Sequence, residues 1–98
     1  MLTSKQRSFL RSMANPIDAI FQIGKGGINE NLIKELDNAL KARELIKIRL
    51  LPNSGLEIRE VCTQLAQELG AESVQVIGTK FVLYRRSKNN PRIELPLP

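Results

Sequence analysis

Three of the four residues Gly24-Lys25-Gly26-Gly27 lack a side chain and the fourth is a lysine, a combination suited to holding a phosphate. Bare backbone lets peptide N–H groups come close to an anion, and a neighbouring lysine adds a mobile positive charge. The segment follows the apolar run "IFQI" and precedes a helical pattern opened by Asn29, a good N-cap. At such a junction an α/β chain presents unpaired N–H groups and the positive end of a helix dipole to solvent. Phosphate binding is one reading of this loop. A strand-to-helix turn that simply favours glycine is the other.

Nucleotide motifs test the first reading directly. A dinucleotide fingerprint places glycines at relative positions one, three and six; Gly24 and Gly26 comply, but the sixth position is Asn29. A P-loop needs a Lys-Ser/Thr pair after its last glycine, whereas Ile28 follows Gly27. What remains is a G-x-x-G loop opening a helix, the device with which KH domains clamp a nucleic-acid backbone. In KH domains that loop joins two helices, so the topology here differs.

Other chemistry is excluded by composition. The chain has no histidine, which removes the commonest general base and the commonest metal ligand together. A single cysteine, Cys62, with scattered carboxylates cannot build a zinc site. No catalytic residue, metal or cofactor is therefore expected, and the chain reads as a non-enzyme. Fifteen Lys and Arg against ten Asp and Glu give a net charge of +5, which points to an anionic partner.

The remaining basic candidates are distributed along the chain. Arg7 and Arg11 lie one turn apart on a polar helix face, with the small Ser4 and Ser8 leaving room for a phosphate. Lys47 and Arg49 share the less apolar face of a strand, and Lys34 follows the glycine loop by two helical turns. Arg85 and Arg86 belong to a run (Lys80, Arg85, Arg86, Lys88, Arg92) with no acid before Glu94. For each, a solvated surface is the competing explanation. Phe9, Phe21 and Phe81 fall at core-facing periods, leaving only Tyr84 as a stacking platform. An RNA-recognition surface that stacks successive bases on aromatics is thus absent.

The elements that must position these residues follow from periodicity. Residues 3–14 predict a helix with a Thr3/Gln6 capping box and an apolar side of Leu2, Phe9, Leu10 and Met13, stopped by Asn15-Pro16. Residues 17–23 alternate as a strand, and a second helix runs from the Asn29 cap to Arg43, with Ile28 and Ile33 as its hydrophobic staple. Residues 45–51 form the clearest strand, and Ser54 with Glu57 offers a capping box for a third helix ending at Gly70. Two last strands flank Gly78-Thr79, a pair suited to a type II′ turn. The order is α-β-α-β-α-β-β, which implies an α/β fold: a mixed four-stranded sheet with two helices on one face and the first helix at an edge or on the second face. Residues 1–87 make one domain, and residues 88–98, with three prolines, read as a largely unpacked tail.

With the loop so placed, the chain resembles the CRM domain family (chloroplast RNA splicing and ribosome maturation), above all its small stand-alone bacterial YhbY-like members. The resemblance rests on "LTSKQRSFLRSMA" (2–14), "IFQIGKGGI" (20–28), "ALKARELIKIRLL" (39–51) and "VIGTKFVLYR" (76–85). It implies a fold akin to the C-terminal domain of translation initiation factor three. It also implies RNA as partner, association with ribosomal RNA in precursors of the large subunit, and a role in ribosome assembly. RNA contact then maps onto Gly24, Lys25, Gly26 and Gly27, with Arg7 and Arg11 on the first helix; Asn29, at the helix N-cap beside the loop, is a further RNA-binding candidate. Asn15 departs from the histidine that many relatives carry there. A cytoplasmic monomer is expected: one cysteine allows no internal disulfide, and "MLTSKQRSFLR" is too polar for a signal peptide. Two rivals are a small enzyme or sensor holding a phosphorylated ligand on the same loop, and a protein-interaction module using the open sheet face.

Overall fold

The computed structural model describes residues 2–89 and 91–98; Met1 and Asn90, the latter in the expected tail, lie outside the described residues. Helix α1 spans Ser4–Ala14 and opens on the expected capping box, with Thr3 Oγ1 accepting from the Gln6 amide and Gln6 Oε1 from the Thr3 amide, both at 3.1 Å. Its apolar side is rotated from the expected one. Leu10 and Ala14 are buried, whereas Phe9 and Met13 are each 37% exposed. Polar anchors set that rotation: Arg7 Nη1 donates to the Ser73 carbonyl, and Gln6 Nε2 donates to the Pro96 carbonyl at 3.0 Å, so the turn bearing Gln6 and Arg7 faces the protein.

Strand β1 is shorter than its alternation predicts, Phe21–Ile23 rather than residues 17–23. The register explains the loss. Phe21 and Ile23 pack on one face of the sheet, but Ile17 packs into the cluster on the other. Residues at odd positions of one continuous strand would share a face, so the chain must break from the sheet between Ile17 and Phe21.

Helix α2 (Glu30–Arg43) is capped by Asn29, whose Oδ1 accepts from the Leu32 amide at 2.9 Å. Strand β2 (Leu45–Leu50) follows, then a single 3-10 turn at Pro52–Ser54 and helix α3 (Ile58–Leu69). The cap of α3 is Glu57 itself, accepting from the Glu60 amide at 2.9 Å, and not Ser54, which is drawn to the Leu56 amide at 3.2 Å. Strands β3 (Glu72–Ile77) and β4 (Lys80–Tyr84) close the fold around Gly78, whose φ of 59° suits the expected type II′ turn.

The α-β-α-β-α-β-β order thus stands, apart from the added 3-10 turn, and the sheet order is β1-β2-β4-β3. β1 pairs with β2 in parallel, and β4 lies antiparallel between β2 and β3. Helices α2 and α3 cover one face, burying Leu36, Leu40, Leu65, Ile46, Ile48 and Phe81 completely. Each such side chain contributes about 1.5–3 kcal/mol of transfer free energy. Helix α1 lies on the opposite face over Leu45, Val74, Val82 and Tyr84.

The C-terminal segment corrects another expectation. Ile93 and Leu95 pack into the α1 cluster, so residues 91–98, at least, are not an unpacked tail. The sequence signal that was missed is Glu44, which caps the C-terminus of α2 at φ 65° and is wholly buried. Its carboxylate accepts the Ser87 amide at 2.7 Å, the Ile93 amide at 2.8 Å and the Arg92 amide. Burial pushes the Glu44 carboxyl up, but these amide donors outweigh it and hold the group below the usual carboxylate range.

Candidate nucleic-acid interface

The glycine loop hangs between two fixed points. The Ile23 carbonyl at the end of β1 accepts the Leu51 amide at 2.9 Å, and Asn29 pins the first turn of α2. Between them the Gly27 amide closes a turn onto the Gly24 carbonyl at 3.0 Å. The N–H groups of Lys25, Gly26, Glu30 and Asn31 meet no acceptor among the described residues. Lys25, Gly26 and Asn29 are exposed. These donors, with the N-terminal end of α2 behind them, form a region of positive potential open to solvent.

Each glycine has a different physical reason, and the difference is informative. Gly27 sits at φ 62°, where any side chain is strained. A Cβ on Gly24 would touch Leu51 Cδ1 at 3.4 Å. At Gly26 the backbone is outside the positive-φ region, and an added Cβ would meet nothing nearer than Asn29 Nδ2 at 4.0 Å. Nothing within the fold calls for glycine at position 26. Its exposed backbone leaves room for a group approaching from outside.

The depression around the loop is shallow, about 260 Å³, and includes Gln22, Asn29 and Glu35 in its lining. That is below the range of ~300–1,000 Å³ usual for pockets that enclose a small ligand. Two acids stand close by: Glu30, in the first turn of α2, and Glu35. Glu30 complements the helix dipole and limits how strongly the loop attracts anions.

The other basic candidates divide sharply. Arg49 is exposed and Lys47 half-buried on the α1 side of β2, where Gln22 of β1 is in register with Arg49. Lys34 and Arg11 are exposed, as is Arg86, which sits near the Glu44 carboxylate. Arg7 docks α1 onto β3 and so lies toward the sheet edge opposite β1; the structure does not bring it to the loop. Arg85 is committed to the fold. Its guanidinium donates to Asp37 Oδ1 at 2.7 Å, the Leu69 carbonyl at 2.8 Å and the Asp37 carbonyl at 3.1 Å, tying β4 to both α2 and α3. Arg85 and Lys41, at 3.1 Å, together hold the Asp37 carboxyl below the usual range. A basic run read without its acidic partner on α2 overstated Arg85 as an RNA contact.

Tyr84 is buried beneath α1 and so offers no stacking platform, whereas Phe9, expected in the core, is partly exposed on α1. Burial, followed by the Glu44 charge, pushes the Tyr84 hydroxyl pKa up. Cys62 is likewise a core residue, its Sγ 3.2 Å from Ser73 Oγ and its thiol pushed up by burial.

A family model described as the CRS1 / YhbY (CRM) domain matches residues 2–85. The chain is 49% identical over 96 residues to the protein named probable RNA-binding protein YqeI of Bacillus subtilis, covering 98% of this chain and 100% of that one. It is 33% identical over 95 residues to a protein named RNA-binding protein of Haemophilus influenzae, covering 97% and 95%. Its fold is similar to the solution structure of the hypothetical protein SAV1595 from Staphylococcus aureus, with a TM-score of 0.78, 50% identity and coverage of 98% and 100%.

Proposed function

The chain belongs to the CRS1 / YhbY (CRM) domain family, and from that premise we propose that it is an RNA-binding module rather than an enzyme. The loop at Gly24–Gly27 and the N-terminus of α2 grip the RNA backbone, with Lys25 as the mobile charge and Arg49, Lys47 and Lys34 extending the footprint. The RNA is ribosomal RNA in precursors of the large subunit, where the protein assists assembly as a cytoplasmic monomer. The observation that carries this reading is Gly26, a glycine with no role in the fold, set among unpaired N–H groups. The shallow, open form of the depression favours an extended backbone over a small phosphorylated ligand.

The test is binding of the purified protein to fragments of large-subunit ribosomal RNA, followed by fluorescence anisotropy across a salt titration. The expected logarithmic slope is steep, with ~0.7–0.9 contributed by each phosphate contact. Binding that barely responds to salt, or that is matched by free nucleotides, overturns the proposal. Sedimentation of a cell lysate adds the assembly arm: the protein should travel with large-subunit precursors rather than at the top of the gradient.

A further inference from the structure

One rung of the sheet carries a surface that the loop alone does not account for. Gln22 is in register with Arg49, Arg49 with Lys80, and Lys80 with Ile77, so a single row crosses all four strands. All four side chains are exposed on the face opposite α2 and α3. Alternation fixes that direction, since Ile48 and Phe81, one residue away on β2 and β4, are buried in the α2/α3 core. The cover supplied by α1 stops just short of this row. Val82, two residues from Lys80 on the same face, is wholly buried, and its partner Lys47 is half-buried. Beyond them this half of the face lies open.

The open half is cationic. Arg49 and Lys80 stand directly opposite each other, ~4.5–5.5 Å apart at Cα, with Lys47 a further ~6.6 Å along β2. Among the described residues neither Arg49 nor Lys80 takes part in an ion pair or side-chain hydrogen bond. The row also joins the loop: Gln22 lies in it and lines the glycine depression as well. No aromatic ring stands in this row: Tyr84 is covered by α1, Phe21 and Phe81 face the other core, and Phe9, 37% exposed, is carried on α1 rather than on the sheet.

We infer that this row, with Lys80 and Arg49 at its centre, is a docking surface for double-stranded RNA continuous with the glycine loop, an inference that rests on the RNA-binding reading above. Proteins grip single strands largely by stacking successive bases on aromatics, and the row itself has none to offer. A duplex presents phosphates and ribose hydroxyls on a regular A-form surface, which a flat patch of cations can read without stacking.

The experiment compares wild type, Gly26→Asp and the double variant Arg49→Gln/Lys80→Gln on three probes of one sequence: an RNA hairpin, its unpaired RNA strand and the DNA duplex. For wild type the hairpin should bind at least tenfold more tightly than the other two. The double variant should keep its melting temperature and lose about two phosphate contacts, making the hairpin salt slope shallower by roughly 1.8 at ~0.9 per contact. If the double variant binds the hairpin as wild type does while Gly26→Asp does not, the row inference fails and the loop reading stands. Equal or tighter binding of the unpaired strand also overturns the inference. If wild type binds none of the probes, both readings fall.

Discussion

Replacing Gly26 separates what the loop needs to fold from what it needs to bind. The open space around its Cα and its ordinary φ mean that Gly26→Ala should leave stability unchanged or raise it by about 0.4–1 kcal/mol, by restricting the unfolded chain. Gly27→Ala, forced to φ 62°, should instead lose about 1–2 kcal/mol. Gly26→Asp goes further by placing a carboxylate where the RNA phosphate is proposed to sit. Two unit charges ~5 Å apart repel by about 0.8 kcal/mol in water and about 3 kcal/mol at an effective dielectric constant of 20. The Kd for RNA should therefore rise between roughly fourfold and a few hundredfold. Anisotropy with a ribosomal RNA hairpin measures the binding, and thermal unfolding followed by circular dichroism measures the fold. A folded Gly26→Asp protein that binds like wild type would show that the loop is only a turn. A Gly26→Asp protein that unfolds would show that the position is not open, and the argument from bare backbone would collapse with it.

The C-terminal latch gives a stability prediction: Glu44→Ala removes the acceptor for three amide donors and should cost about 2–4 kcal/mol, or roughly 10–20 °C in melting temperature. A change under a few degrees would mean that the segment beyond β4 is not held by this carboxylate. The same group sets a pH dependence. Its carboxyl is lowered on folding from an ordinary value of 4.5, so acid unfolding takes up a proton there; the stabilisation is complete above about pH 4.5 and fades as pH falls through the lower folded value. The melting-temperature gap between wild type and Glu44→Gln should accordingly be constant near neutrality and narrow in acid; a gap that widens in acid contradicts the sign. Arg85→Ala should cost about 2–3 kcal/mol by freeing Asp37 and the Leu69 carbonyl, yet leave the salt slope of RNA binding unchanged. A shallower slope would return Arg85 to the interface.

What the sequence revealed and what it hid divide along a physical line. The caps at Thr3 and Asn29, the β2 alternation and the glycine loop are local: each is decided by residues within a few positions, and each is found where the pattern puts it. Apart from the α3 cap, where Glu57 takes the place expected for Ser54, the failures involve partners far along the chain. Arg85 looks like a free cation until Asp37, forty-eight residues earlier, is seen to hold it. Glu44 looks like one more surface acid after a helix, because nothing nearby says that the amides of Ser87, Arg92 and Ile93 will return to it. The α1 face was misjudged for the same reason. Helical period alone favoured Phe9 and Met13, while the choice was made by the Ser73 carbonyl on β3 and Pro96 near the chain end. Polar contacts over long separations thus decide which basic residues remain available. Removing Arg7 and Arg85 from the free set shifts the proposed RNA footprint away from the α1 and α3 contacts. It moves toward the end of the sheet where β1 delivers the glycine loop, with Arg49 and Lys80 left uncovered beside it.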